Sequence, residues 1–153
     1  MKAGVSMVNP FGLVFMTAML IPNAIFAIRC REGFSGPYHC RSVELLEQAG
    51  RFGCMALMIL KGPGFGFSSD EALALYLIVD TALVAAYDIL WVICFRRNGV
   101  FRALSLSILP SVIFLFSGVI SHSPLLIVAA LVFAPCHILI SYRSAVPAKD
   151  SRS

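Results

Sequence analysis

Charged residues are scarce in this sequence. Asp, Glu, Lys and Arg together make up 13% of its 153 residues, and hydrophobic residues make up 59%. A soluble domain carries about 25% charged residues. Because a soluble core of this size could not bury so much apolar surface, a soluble globular domain is excluded. The mean hydropathy of +0.87 agrees, and we expect the chain to lie in a lipid bilayer.

The sequence also lacks the short motifs that carry catalysis or nucleotide binding. It contains no G-x-S-x-G, no H-E-x-x-H and no Walker A motif. The glycine-rich run GPGFGF falls in a turn between apolar segments, which does not indicate a phosphate-binding loop. We therefore assign no catalytic residue and no cofactor. An enzyme acting on a lipid or prenyl substrate is the least favoured of three functional interpretations.

Cysteine and histidine do not form a recognisable metal site. Cys30, His39 and Cys40 are the nearest approach to a ligand set, but they lack the C-x2-4-C pair of structural zinc sites. Free thiols are the favoured interpretation, and we predict no metal.

The apolar residues are grouped into five segments. Each is roughly 18 to 25 residues long, which at about 1.5 Å per helical residue crosses ~30 Å of hydrocarbon. They run from about Phe11 to Ile28, Val43 to Leu60, Glu71 to Phe95, Phe101 to Ile120, and Pro124 to Tyr142. Because a lone span must satisfy its own backbone groups, we predict an all-α polytopic membrane protein with five transmembrane helices. Residues 1–143 are predicted to form one domain, and residues 144–153 a polar cytoplasmic tail.

Positive charge is distributed unevenly between the two sides that five spans create. The first loop, the third loop and the C-terminus share one side and carry nine basic residues: Arg29, Arg31, Arg41, Arg96, Arg97, Arg102, Arg143, Lys149 and Arg152. Only Lys2 and Lys61 lie on the other side. Because cytoplasmic loops carry the excess of Lys and Arg, we predict the N-terminus outside and the C-terminus in the cytoplasm. The net charge of +4 comes from these loops and does not indicate a nucleic-acid partner.

Polar residues nevertheless enter the second segment, VELLEQAGRFG. Glu44, Glu47, Gln48 and Arg51 are spaced i, i+3, i+4 and i+7, which places them on one helical face. Glu47 and Arg51 can pair within the helix.

Other spans place polar side chains at a similar depth, about 6 to 12 Å from their cytoplasmic ends. They are Asn23, Tyr87, Asp88 and His137. A charge within a span costs about 2.5 to 3.5 kcal/mol, so these groups should face one another. We predict one polar cluster in the cytoplasmic third of the membrane, with Asp88 as the interhelical partner of Arg51 and His137 bonded to either acid.

Two functions compete for this cluster. In the first, it is an ion-pair network that fixes helix register in a structural or accessory subunit without a ligand. In the second, it binds or transports a small polar or anionic solute: Arg51 holds the anion, and Glu47, Asp88 or His137 exchanges protons.

Asp80 lies apart from the cluster, about 13 Å from the outer end of the third span, with Tyr76 one turn before it. It is either half of a proton path or a group bonded to a neighbouring hydroxyl. The second interpretation is favoured.

Several segments together give a resemblance: NPFGLVFM, IPNAIFAI, EQAGRFGCMALMI, ILPSVIFLFSG and CHILISY. The chain resembles a family of small bacterial multi-pass membrane proteins over most of its length. The resemblance implies a five-helix fold in a bacterial plasma membrane and carries no activity to transfer. Five short helices make a thin bundle, which is compatible with a homo-oligomer.

Overall fold

The structure, a computed structural model, describes residues 7–29, 40–94 and 99–146. Several predictions fall outside these ranges. They concern Cys30 and His39 of the rejected metal set, the basic residues at 2, 31, 96, 97, 149 and 152, and the tail from residue 147.

The described residues contain five α-helices, as predicted. They are α1 (Pro10–Arg29), α2 (Arg41–Ile59), α3 (Asp70–Cys94), α4 (Val100–Ile120) and α5 (Pro124–Ala145). The bounds follow the apolar segments closely, although α5 continues past the predicted end at Tyr142. The prediction of an all-helical fold is confirmed.

Local signals in the sequence explain where some helices begin. Ser69 Oγ accepts a hydrogen bond from the Ala72 amide at 3.2 Å, which satisfies one of the unpaired N–H groups at the start of α3. Pro124 occupies the start of α5, where its missing N–H costs nothing. Gly64, with φ at 83°, provides the left-handed turn between α2 and α3 that other residues rarely adopt.

Four helices, α1, α3, α4 and α5, are long and apolar enough to cross a membrane, which indicates a membrane protein. The outward surface agrees, because large apolar side chains are widely exposed: Val92 is 77% exposed, Ile78 68% and Val14 63%. The charges on α2 reduce its hydropathy, and it is not one of the four.

The helices form a ring in the order α1, α2, α5, α4, α3, and α2 also touches α4 inside the ring. Hydrogen bonds at the turns show that α1 and α2 are antiparallel: the Asn9 amide donates to the Ile59 carbonyl at 2.7 Å, and the Lys61 amide to the Met7 carbonyl at 2.8 Å. The Gly66 amide donates to the Ser121 carbonyl at 2.9 Å, which brings the other short turns to the same end.

The bundle therefore has two distinct ends. The tight-turn end comprises Met7–Asn9, 60–69 and 121–123. The basic end carries Arg29, Arg41, Arg102 and Arg143, at the opposite ends of their helices. At the basic end, Arg102 lies over the rings of Phe26 and Trp91, with its guanidinium carbon 4.6 and 5.9 Å from their centroids. These contacts join α1, α3 and α4.

A close crossing of α2 and α5 positions the candidate site. A Cβ on Gly50 would lie 2.9 Å from the Phe133 backbone, so only glycine permits this approach. Cys54, one turn on, is fully buried, and this small-xxx-small pair packs against the neighbouring helix as such pairs do. Glu47 and His137 lie one turn from the crossing on their respective helices, and the crossing brings them together.

Candidate functional site

One buried carboxylate organises the polar residues of α2 and α5. The Glu47 side chain is 4% exposed, and its Oε1 accepts hydrogen bonds from Arg51 Nε at 3.0 Å and from Arg51 Nη2. His137 Nδ1 lies 2.9 Å from the same oxygen. We call Glu47, Arg51 and His137 the Glu47 triad. The predicted bonds of Glu47 to Arg51 and of His137 to an acid are both confirmed.

The surroundings of His137 determine which of its nitrogens carries hydrogen. An ionised carboxylate only accepts hydrogen bonds, so Nδ1 is the donor to Glu47. Nε2 is then an acceptor when the ring is neutral and a donor when it is protonated. The ring stacks on Phe133 at 4.6 Å with an interplanar angle of 21°, which holds it against α2. His137 is thus held in a fixed position beside the ion pair.

Arg51 is the most accessible member of the Glu47 triad. Its side chain is 41% exposed, although both bonds to Glu47 fix the direction of its guanidinium. Arginine has five N–H donors, and within the described ranges those on Nη1 have no hydrogen-bond partner. The arrangement presents a fixed, half-exposed cation with free donors, which is the form in which arginine binds anionic groups.

A second polar contact joins α1 and α3. Asn23 Nδ2 donates to Tyr87 Oη at 2.8 Å and to the Met19 carbonyl at 2.9 Å. Tyr87 is 3% exposed. Because its oxygen accepts from Asn23, its own hydroxyl hydrogen is available to another acceptor.

The predicted pairing of Arg51 with Asp88 is wrong. Helices α2 and α3 do not contact each other within the described residues, since α1 and α4 lie between them. Asp88 Oδ1 is buried and has no hydrogen-bond partner there. The residues predicted to form one cluster therefore form two contacts, the Glu47 triad and the Asn23–Tyr87 bond, and Asp88 belongs to neither.

The other polar residues of α2 point elsewhere. Gln48 is exposed and Glu44 partly buried, whereas Glu47 is buried. Only Glu47 and Arg51 of the four predicted face residues contribute to the triad. Positions i+3 and i+7 of this face, Glu47 and Arg51, bond to each other, whereas positions i and i+4, Glu44 and Gln48, lie outside the triad.

A polar group that the sequence analysis only partly identified lies toward the tight-turn end. Asp80 accepts from Ser117 Oγ at 2.5 Å, which confirms the favoured prediction of a hydroxyl partner. Tyr76 instead accepts from Asn9 Nδ2 at 3.2 Å. Asn9 and Ser117 were missed. The signal for Ser117 was its place among the small residues of α4, which indicate a close helix approach.

No family model, no curated protein and no solved structure matches the chain. The resemblance to small bacterial membrane proteins stays a prediction, and a functional proposal depends on the geometry of these residues.

Proposed function

We propose that all five helices cross a bacterial plasma membrane, with the basic end in the cytoplasm and the N-terminus outside. The proposal adds α2 to the four helices that are apolar enough to cross a membrane. Its 19 residues span about 28 Å at 1.5 Å per residue. Its outward side chains support a lipid environment, since Leu45 is 71% exposed and Phe52 63%. Its buried acid, Glu47, faces α5 instead. The orientation is supported by the four arginines of the basic end, against Lys61 at the tight-turn end.

The orientation has a direct test. Single cysteines in a cysteine-free chain, placed at Gly66 and Val146, are exposed to a membrane-impermeant maleimide in intact cells. Labelling at position 66 alone supports the proposal. Labelling at 146 alone, or at both, contradicts it.

We propose that the protein binds a small anionic solute at Arg51 and transports it across the membrane. One observation carries the proposal: a half-exposed guanidinium is held in a fixed direction by the buried Glu47. An exposed cation within a span is costly against lipid, so its free donors require water or an anion. The two oxygens of a carboxylate or phosphate match the planar donors of arginine.

Charge balance within the Glu47 triad favours a singly charged anion. Arg51 and Glu47 cancel each other, and a neutral His137 leaves the triad without net charge. Protonation of His137 adds one positive charge within 2.9 Å of Glu47, which an incoming monoanion would neutralise. The proposal therefore includes uptake of one proton by His137 with each anion bound.

Ligand-dependent stability of the purified protein tests the binding step. Thermal unfolding in detergent is measured with a panel of small carboxylates and inorganic phosphate. A ligand present at 100 times its Kd stabilises by about 2.7 kcal/mol. We expect a stabilising anion whose effect is lost in Arg51→Gln and kept in the matched control Arg41→Gln, which removes an exposed arginine at the start of the same helix. Stabilisation that survives in Arg51→Gln would contradict the site.

A structural or accessory subunit is the second candidate, and it too has an observation in its favour. Glu47 has partners from both α2 and α5, so the Glu47 triad could serve only to fix the crossing of these helices. This candidate predicts a fixed partner or a homo-oligomer on purification, and the same melting temperature with and without every anion. Anion-dependent flux into proteoliposomes that requires Arg51 would rule it out.

A further inference from the structure

A carboxyl group on α3 is buried apart from the Glu47 triad. Asp80 has 0% of its surface exposed, and its Oδ2 accepts one hydrogen bond, from Ser117 Oγ on α4. Its other oxygen, Oδ1, is buried and has no hydrogen-bond partner in the part of the chain that the structure describes. An ionised carboxylate here would have to be stabilised by a single hydrogen bond.

The described neighbours of Asp80 provide no countercharge. Helix α3 packs against α1 and α4, and Ser117 is the polar group that α4 directs at this carboxyl. The nearby titratable group is Tyr76 on α3 itself, whose oxygen accepts from Asn9 of the segment before α1. No Lys, Arg or His among the described residues forms an ion pair with Asp80. Burying an isolated charge is far more costly than burying the neutral acid.

We propose that Asp80 is a proton-binding site, whose carboxyl holds a proton within the membrane and exchanges it with water at the tight-turn end. The step is a simple dissociation: the O–H bond of the acid breaks, the electron pair stays on the carboxylate, and the proton passes to water. A proton fits the site better than a metal cation. Calcium, for example, takes about six to eight oxygen ligands, whereas here the described side chains supply one carboxyl and one hydroxyl.

Further serine hydroxyls lie between Asp80 and the tight-turn end. Ser121 lies one turn beyond Ser117 on α4, and its Oγ donates to the Ser117 carbonyl at 2.5 Å. Ser121 and Ser123 are buried, while His122 between them is exposed. The Ser123 hydroxyl is buried without a hydrogen-bond partner among the described residues. These serines place buried hydroxyl groups in the part of the chain that runs from Ser117 to the exposed turn.

The proton site does not require the anion site, because the two share no residue. Failure of every anion to bind would leave the Asp80 proposal standing, whereas an Asp80 carboxyl band that is absent at all pH values would contradict it and leave anion binding untouched.

Infrared difference spectroscopy of the full-length protein in liposomes tests the assignment. The spectrum of Asp80→Asn is subtracted from that of the wild type, at a series of pH values and in both H2O and D2O. We expect a protonated carboxyl C=O band in the wild type that weakens as the pH rises. In D2O the band should shift, because the acid proton exchanges. Ser117→Ala should move the band to higher frequency, since the carboxyl loses its one hydrogen bond. If Asp80→Asn fails to fold, the shift in Ser117→Ala assigns the band to Asp80 instead.

Three results would overturn the proposal. The first is a carboxylate band, in place of the protonated band, at every pH in the series. Where Asp80→Asn does not fold, the same result is a carboxylate band that changes in Ser117→Ala at every pH. The second is a protonated band that does not shift in D2O, which would make Asp80 a neutral structural acid. The third is conversion of the protonated band to carboxylate by Na⁺ at constant pH, which would make the site a cation site.

Discussion

Arg51→Leu is expected to destabilise the protein more than Glu47→Leu, although each substitution removes the same ion pair. The difference arises from burial, since the Glu47 side chain is 4% exposed and that of Arg51 is 41% exposed. Arg51→Leu leaves a buried carboxylate with His137 as its remaining triad partner. We expect a cost of about 3 kcal/mol, the lower end of the range for breaking a buried pair. Glu47→Leu leaves a guanidinium that can reach water, and about 1 kcal/mol is expected, as for exposed pairs.

The double variant Glu47→Leu/Arg51→Leu provides the decisive comparison. It leaves neither charge unpaired, so it should cost less than Arg51→Leu alone. Equilibrium unfolding in mixed micelles can be followed by the fluorescence of Trp91, the one tryptophan of the chain, which packs against Phe26 in the core. Arg41→Leu is the control for loss of a basic residue from α2. Equal costs for the two single variants would refute the unequal burial of Glu47 and Arg51 as the cause. A double variant whose cost is the sum of the single costs would show that Glu47 and Arg51 are not coupled.

Two further substitutions test the packing that holds the candidate site. Gly50→Ala should cost about 1 to 3 kcal/mol in the same unfolding assay, because its Cβ would lie 2.9 Å from Phe133. The control Gly53→Ala should be nearly neutral, because the nearest atom to its Cβ lies at 3.5 Å. Similar losses of stability for both variants would contradict the close crossing of α2 and α5. Tyr87→Phe should cost about 1 kcal/mol, the usual value of one hydrogen bond, and should add little in an Asn23→Ala background; full additivity of the two would show that the α1–α3 bond contributes nothing.

The sequence predicted how deep each polar side chain lies along its helix. It did not predict which neighbouring helix that side chain faces. Counting from the ends of the apolar segments placed Glu47 and His137 at matching depth, and they do bond to each other. The same counting placed Asp88 beside Arg51, and that pair does not form. The reason is the order of helices in the ring: α2 meets α5 and not α3. That order depends on close approaches such as Gly50 against Phe133, which no pattern in one helix reveals.

Contacts within one helix were the easiest to predict, because helical geometry alone fixes them. The Glu47–Arg51 bond follows from i, i+4 spacing, and the cap of α3 by Ser69 follows from its position before the apolar run. The Asn9–Tyr76 and Ser117–Asp80 bonds join residues 67 and 37 positions apart. Their partners are ordinary polar residues at helix ends or among small residues, so their pairing depends on tertiary packing.

The polarity of α2 is consistent with its place in the ring. Helix α2 packs against α1, α5 and α4, and the face that carries Glu47, Gly50, Cys54 and Met58 is buried against protein. A helix in that position can carry Glu47 inward without exposing it to hydrocarbon, and its outward residues include large apolar side chains such as Leu45 and Phe52. The low hydropathy of α2 therefore does not argue against a span. It reflects a helix that buries one acid, Glu47, and leaves its ion-pair partner Arg51 half-exposed; ionisable groups within a span are rare and commonly mark ion or solute sites.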